Sequence, residues 1–261
     1  MSKLQNDINS LSVWCTSNKL SLNISKCVVM SFSRSHKPHP PVYWLNGQKL
    51  QVVTTIKDLG VTVDNELNFA NHINDISLRA HRVLGLIIRS GRDFRDPYTL
   101  IRLFDALVKP ILVYCNIVWA PSSDQLVNRL ESTQRKFCKY LSWFSNSVAA
   151  EMSTDDVYNY FKINSLSCGR QACDLLFFYK LVNGIVISPE ILAQFSLICP
   201  RAGLRHNRLL EIKKTTKNYV WNGPRSRIAR LVNEHSSTLN FFGGSYNQFT
   251  KNVKDQLYNH R

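Results

Sequence analysis

Asp155 and Asp156 are adjacent carboxylates, a pair of the kind that can hold divalent metal ions and align a nucleophile with its leaving group. They follow Ser153-Thr154 and open an α-helical pattern, so they read as a helix N-terminus rather than a metal site. The seven cysteines form no C-x-x-C pair, Cys168 and Cys173 have no histidine at ligand spacing, and an odd number argues against a disulfide framework. All seven are expected to be small buried hydrophobes. Arg79, Arg82, Arg89, Arg92 and Arg95 recur at intervals that place several on one side of a helix and its exit. Such a row either contacts phosphates without reading sequence or is a plain solvated face.

The elements that must carry these residues change character along the chain. Leu4, Ile8, Leu11 and Cys15 lie at spacings of four, three and four, which predicts a helix ending near Asn18. Residues 20–65 read mostly as sheet: a buried strand over Cys27–Phe32, a loop at Pro38–Pro41, and strands flanking Asn46-Gly47, whose residues supply the positive φ of a tight hairpin. Thr54–Ile56 and Leu59–Val63 suggest a further strand pair, followed by a turn at Asp64-Asn65. After Phe69 the period is helical through Ile73, Ile76, Ala80, Val83, Leu84 and Ile87. Asp96-Pro97 predicts the next N-cap and first turn, Pro110 a kink or restart, and Asp124 the cap of a third helix. That third helix buries Leu126, Leu130, Phe137, Leu141 and Phe144 and displaces Arg129, Lys136 and Lys139 to its other side. A fourth helix runs from about Ser165 to Val182 and stops at Asn183-Gly184. Arg225–Val232 and Tyr246–Tyr258 read as short helices. Tyr114, Trp119 and Phe137 are expected to be core aromatics.

At 261 residues, 44% of them hydrophobic and 20% charged, the chain can bury a core and is too apolar for wholesale disorder. The net charge of +15 favours polyanionic partners, nucleic acid first. Residues 201–261 carry 12 basic and 3 acidic side chains, more than half of the excess. The most apolar stretch, Ala106–Ala120, is broken by Lys109, Pro110 and Asn116 and is too short for a bilayer span of about 20 residues. Met1 leads into a polar run rather than a signal peptide. An intracellular protein of nucleus or cytoplasm, not secreted and without a membrane partner, is expected.

Four blocks in fixed order carry a family resemblance. They are Trp14-x-x-x-Asn18-x-Leu20-x-Leu22-Asn23-x-x-Lys26 with the strand after it; Lys57-Asp58-Leu59-Gly60-Val61 trailed by Asp64, Leu67 and Phe69-x-x-His72-Ile73; Leu103-Phe104-x-x-Leu107-Val108-x-Pro110 through Tyr114, Val118-Trp119 and Pro121; and Leu130-Glu131-x-x-Gln134-Arg135-Lys136-Phe137. The series resembles the reverse transcriptase of non-LTR, jockey-like retrotransposons, from just past the catalytic aspartates onward, clearly over residues 4–145 and loosely beyond.

The resemblance implies an α+β fold: a small antiparallel sheet remnant of a polymerase palm, then a mainly α-helical thumb and a basic C-terminal segment. It implies divisions at 1–65 (end of palm and primer-grip hairpin), 66–200 (thumb-like) and 201–261 (basic segment). It places Lys26 beside the incoming nucleotide as an auxiliary to phosphoryl transfer, with a surface lysine at a strand start as the alternative. It assigns Lys57, Leu59, Gly60 and Val61 to a hairpin at the primer end, where Gly60 allows a tight turn and close approach of the backbone, with a plain strand bulge at Gly60 as the alternative. Arg79, Arg82, Arg89, Arg92 and Arg95 fall to the template–primer duplex, an RNA–DNA or DNA duplex bound without sequence preference. The family uses Mg²⁺ through an Asp-Asp hairpin and a third aspartate further upstream, and no Asp-Asp pair precedes Trp14. No metal ligand and no bound cofactor are therefore expected in this chain, which reads as a truncated, catalytically inactive polymerase fragment. A helical protein-interaction module without a nucleic-acid role is the alternative, and the sequence names no protein partner.

Overall fold

A computed structural model describes residues 3–33, 41–94, 96–145, 152–198 and 208–258. The chain forms two compact units, residues 1–72 and 73–261.

In the first unit, helix α1 (Lys3–Ser17) is followed by a single 3-10 turn over Ile24–Lys26 and by six short strands: β1 (Val28–Val29), β2 (Trp44–Leu45), β3 (Gln48–Lys49), β4 (Gln51–Val52), β5 (Thr55–Asp58) and β6 (Val61–Asp64). They make three separate two-stranded ladders, not one antiparallel sheet, and β1 pairs with β4 in parallel. The strand expected over Cys27–Phe32 shrinks to two residues for the same reason: β4 offers it only two partners. Asn46 (φ 50°) and Gly47 (φ 77°) form the predicted tight turn between β2 and β3. Gln5 holds this hairpin to α1, with Nε2 donating to Trp44 O at 2.8 Å and Oε1 accepting from Trp44 N at 2.9 Å. Tyr43, Leu45 and Leu50 form the small core against Ile8, Leu22, Ile24, Cys27 and Val29.

The second hairpin has the tight turn at Gly60 that the resemblance implies, and departs from the reading of a strand beginning at Leu59. Asp58 pairs with Val61, so Leu59 (φ 44°) and Gly60 (φ 86°) are the two-residue turn rather than the start of a strand or a bulge. After β6 the buried Asp64 accepts from the N–H groups of Glu66 (3.0 Å), Asn68 (3.1 Å) and Phe69 (2.8 Å). These bonds hold a loop in which Leu67 (φ 55°) and Phe69 (φ 56°) adopt left-handed conformations that are costly for non-glycine residues. The Asp64, Leu67 and Phe69 of the second block are thus one structural device. Asp64→Ala leaves three donors without their acceptor, and we expect a local loss of about 2–3 kcal/mol. It should register as faster amide exchange at Glu66, Asn68 and Phe69, with exchange in residues 166–182 unchanged.

Helix α2 (Ala70–Ser90) leads into the second unit, which is helical: α3 (Pro97–Leu103), α4 (Lys109–Val113), α5 (Asn116–Trp119), α6 (Asp124–Phe144), α7 (Thr154–Tyr160), α8 (Leu166–Val182), α9 (Pro189–Leu192), α10 (Asn218–Trp221), α11 (Pro224–His235) and α12 (Tyr246–Tyr258). Asp96 caps α3 through bonds from Tyr98 N and Thr99 N, with Pro97 in the first turn. Pro110 lacks an N–H, and the residues before it, Phe104–Val108, widen into a π turn from which α4 restarts. The N-cap position of α6 is Ser123, not Asp124; Asp124 instead sits in the first turn, where the helix dipole favours a negative charge. Gly184 (φ 68°) follows the C-terminus of α8 as predicted.

Phe104 stacks on Phe137 with centroids 4.2 Å apart. Phe178 and Tyr179 of α8 pack with Ile228, Val232, Phe241, Phe249 and Val253, so the described part of the basic segment shares its core with α8. Trp119 and Phe137 are buried as expected, whereas Tyr114 is exposed. Cys15 and Cys138 are buried and Cys27, Cys168 and Cys173 half-buried, but Cys115 is exposed, because its left-handed backbone (φ 56°) opens α5 at the surface. Burial pushes the Cys138 thiol up to about 12, so it stays a neutral core group. Cys199 lies outside the described residues.

Candidate nucleic-acid interface

Helix α2 has one apolar and one basic side. Ile73, Ile76, Ala80, Leu84 and Ile87 are buried, while Arg79, Arg82 and Arg89 are exposed on an arc of about 80° on the opposite side, over a length of about 15 Å. Asp75 and Leu86 share that arc. A methyl group added to Gly85 would meet Arg89 Nη1 at 3.7 Å, so this guanidinium lies over bare backbone one turn earlier. Arg92 is exposed in the 3-10 turn Gly91–Asp93. That turn lies so close to α3 that a Cβ on Gly91 would come within 2.5 Å of Leu100 Cδ2. Arg95 lies outside the described residues.

Helix α6 runs beside α2 and parallel to it. His81 Nδ1 lies 3.0 Å from Thr133 Oγ1, and Tyr140 OH donates to Ile88 O at 3.4 Å, two contacts with the same sequence offset. Arg129, Lys136 and Lys139 are exposed on one arc of α6, away from buried Leu130, Phe137 and Leu141. With the helices parallel, neighbouring, and each turned to the core by its apolar stripe, helical periodicity projects both basic arcs to the same side. The result is a surface with six cations on two rods, and Trp143 stands exposed on the same arc of α6, three residues past Lys139. Among the described residues none of the six has a carboxylate within 4.0 Å; the ion pairs found are Lys109–Asp105, Arg170–Glu131 and Arg227–Asp174.

The spacing of the α2 arginines marks them in the sequence, but the contribution of α6 was missed there. Spacings of seven and three from Arg129 to Lys139 mark one helical face, yet periodicity within a helix cannot say that another basic helix lies alongside.

In the first unit, Lys26 is exposed on the 3-10 turn ahead of β1. Lys57, Leu59 and Gly60 are exposed at the β5–β6 turn, while Val61 is buried. No three His, Cys, Asp or Glu residues among those described come together as a metal site. The one candidate pair is committed elsewhere: Asp156 Oδ2 accepts from Ser153 N at 3.1 Å and Ser153 Oγ at 2.6 Å, a capping box on α7. No group of acids among the described residues fits the Mg²⁺ the resemblance implies. No helix among the described residues is long and apolar enough to cross a membrane.

Known proteins resemble this chain over part of their own length. The RNA-directed DNA polymerase from mobile element jockey of Drosophila melanogaster is 24% identical over 241 residues, 90% of this chain and 23% of that protein. The chain is related to the RNA-directed DNA polymerases of jockey-type non-LTR retrotransposons. The polymerase from transposon X-element of the same fly is 25% identical over 138 residues, 51% of this chain and 15% of that protein. A 115 kDa protein of a type-1 retrotransposable element is 29% identical over 119 residues, 44% of this chain and 12% of that protein. The chain thus spans less than a quarter of the length of these relatives. No family model matches it, and no solved structure matches it significantly.

Proposed function

We propose that this chain is a duplex-holding part of a retrotransposon RNA-directed DNA polymerase, gripping an RNA–DNA or DNA duplex through phosphates and without sequence preference. The observation that carries the reading is the pair of parallel helices whose six cations face one side with no carboxylate partner among the described residues. Phosphates are the natural counter-ions of such a surface, and releasing their condensed cations supplies the binding free energy. Helix α2 and its continuation take the thumb role in this reading, and the exposed Lys57–Gly60 turn takes the primer side. Lys26 is the auxiliary candidate beside a nucleotide. Polymerisation is assigned to no residue in this reading.

The test is binding of a labelled RNA–DNA duplex and a DNA duplex of the same length across a salt series. Six phosphate contacts predict a slope of about −5 in log K against log salt, and similar affinity for unrelated sequences. Weak or salt-insensitive binding would sink this reading and leave a helical protein-interaction module.

A further inference from the structure

Apart from the basic platform, the second unit carries a loop that leaves α11 and returns to it. At the root, Asn233 of α11 accepts from Leu209 N at 2.9 Å and Leu210 N at 2.8 Å, and its Nδ2 donates to Leu210 O at 2.8 Å. At the return, Arg230 lies one helical turn earlier on α11. It donates to Trp221 O and lays its guanidinium over the Trp221 ring, 4.4 Å from the centroid. Residues 211–220 between these anchors form a surface excursion with close ends, and none of them is buried. Of its apolar side chains, Ile212 packs on the core of α8 and α11, while Tyr219 and Val220 are exposed. Lys213, Lys214 and Lys217 are exposed, and from Ile212 to Asn233 the sequence holds no acid. None of the three lysines is in an ion pair among the described residues. Trp221 N donates to Lys217 O at 3.1 Å, closing one helical turn, so Lys217 and Trp221 share a side of α10. Trp221 remains 39% exposed with one face of its ring covered by Arg230.

We propose that this loop binds single-stranded nucleic acid, with Lys213, Lys214 and Lys217 on phosphates and the Trp221 indole stacked on a base. Unpaired bases offer flat faces that a duplex keeps inside its stack. An exposed ring beside cations that lack a carboxylate captures such bases without reading sequence. The Arg230 guanidinium holds the ring before a ligand arrives, so little side-chain freedom is lost on stacking. A merely acidic partner would answer the lysines but not the ring. The proposal stands on these residues and not on the α2 and α6 platform, which is assigned to a duplex.

The experiment measures binding of a labelled oligothymidylate, which forms no duplex with itself, by the full chain across a salt series. The native protein is compared with Trp221→Ala, with Trp221→Phe, and with a variant in which Lys213, Lys214 and Lys217 are all alanine. The lysine variant should flatten the slope of log K against log salt by about 2, since each phosphate of a single strand contributes about 0.7. Its three changes are at exposed positions, so its thermal midpoint should stay native and a lost contact is told from a lost fold. Trp221→Ala should weaken binding roughly tenfold, and Trp221→Phe, which keeps an aromatic face, should retain most of the native affinity. No binding by the native chain, native-like binding by the lysine variant or by Trp221→Ala, or equal weakening by Trp221→Ala and Trp221→Phe overturns the proposal. A labelled duplex is titrated in parallel, and the loop variants should bind it as the native chain does. Single-strand binding lost only when Arg79, Arg82 and Arg89 become alanine assigns the strand to the platform and also overturns the proposal. Absent duplex binding, with the single-strand response of the loop variants as expected, counts against the platform and not against this loop.

Discussion

Changing Arg79, Arg82 and Arg89 together to alanine should weaken duplex binding by roughly tenfold to a hundredfold at low salt and flatten the salt slope by about 3, close to one unit for each phosphate no longer neutralised. Alanine is the best helix former, and all three residues are exposed opposite the buried stripe of α2, so the fold should be kept. An unchanged far-ultraviolet circular dichroism spectrum and thermal midpoint would verify that. The matching α6 variant, Arg129, Lys136 and Lys139 to alanine, should weaken binding to a similar degree. This second result separates the platform from a single-helix site: if only the α2 variant binds weakly, the two arcs do not act on one ligand. The weakening should be uniform across duplex sequences, since phosphate contacts carry no base information.

Arg227→Ala should destabilise the second unit by about 3 kcal/mol. It removes a bidentate pair with Asp174 and a bond of 2.8 Å to Ile117 O, stranding a carboxylate that is 3% exposed. Replacing both partners with apolar residues, as in Arg227→Met with Asp174→Leu, should recover most of the loss, because no buried charge is then left alone. Burial raises the Asp174 pKa above its ordinary value, with Arg227 and Arg170 pulling it part of the way back. A carboxyl whose folded pKa is raised favours the folded state when protonated. Its contribution is therefore full below the ordinary aspartate value of about 3.9 and is lost as pH rises through the folded pKa. Removing Arg227 lifts that pKa further, so the cost of Arg227→Ala should shrink as pH falls from neutrality towards 4. Denaturant unfolding at several pH values measures this directly, and a pH-independent cost would argue that poorer packing, not the stranded charge, is responsible.

Elements held by local chemistry are legible in the amino-acid order alone. Asp96-Pro97, Ser153 with Asp156, Asn46-Gly47 and Asn183-Gly184 specify a cap, a capping box, a hairpin turn and a helix stop through bonds or φ angles within a few residues. The same locality makes the apolar stripes of α2 and α6 and the arginines of α2 legible, since each follows from one helical period. Expectation and structure part where a neighbour decides. The extent of β1 depends on a partner 23 residues away. The exposure of Tyr114 and Cys115 depends on where the chain turns between α4 and α5.

By itself, then, the amino-acid order determined the helical and turn units, the surplus of positive charge and the kinship with jockey-type polymerases, all written in short-range pattern. Only the tertiary structure decided that α2 and α6 lie parallel and join their cations, and that Arg170 meets Glu131 across 39 residues and Arg227 meets Asp174 across 53. Those pairings depend on long-range packing of apolar stripes, and a stripe records which face is buried but not what buries it.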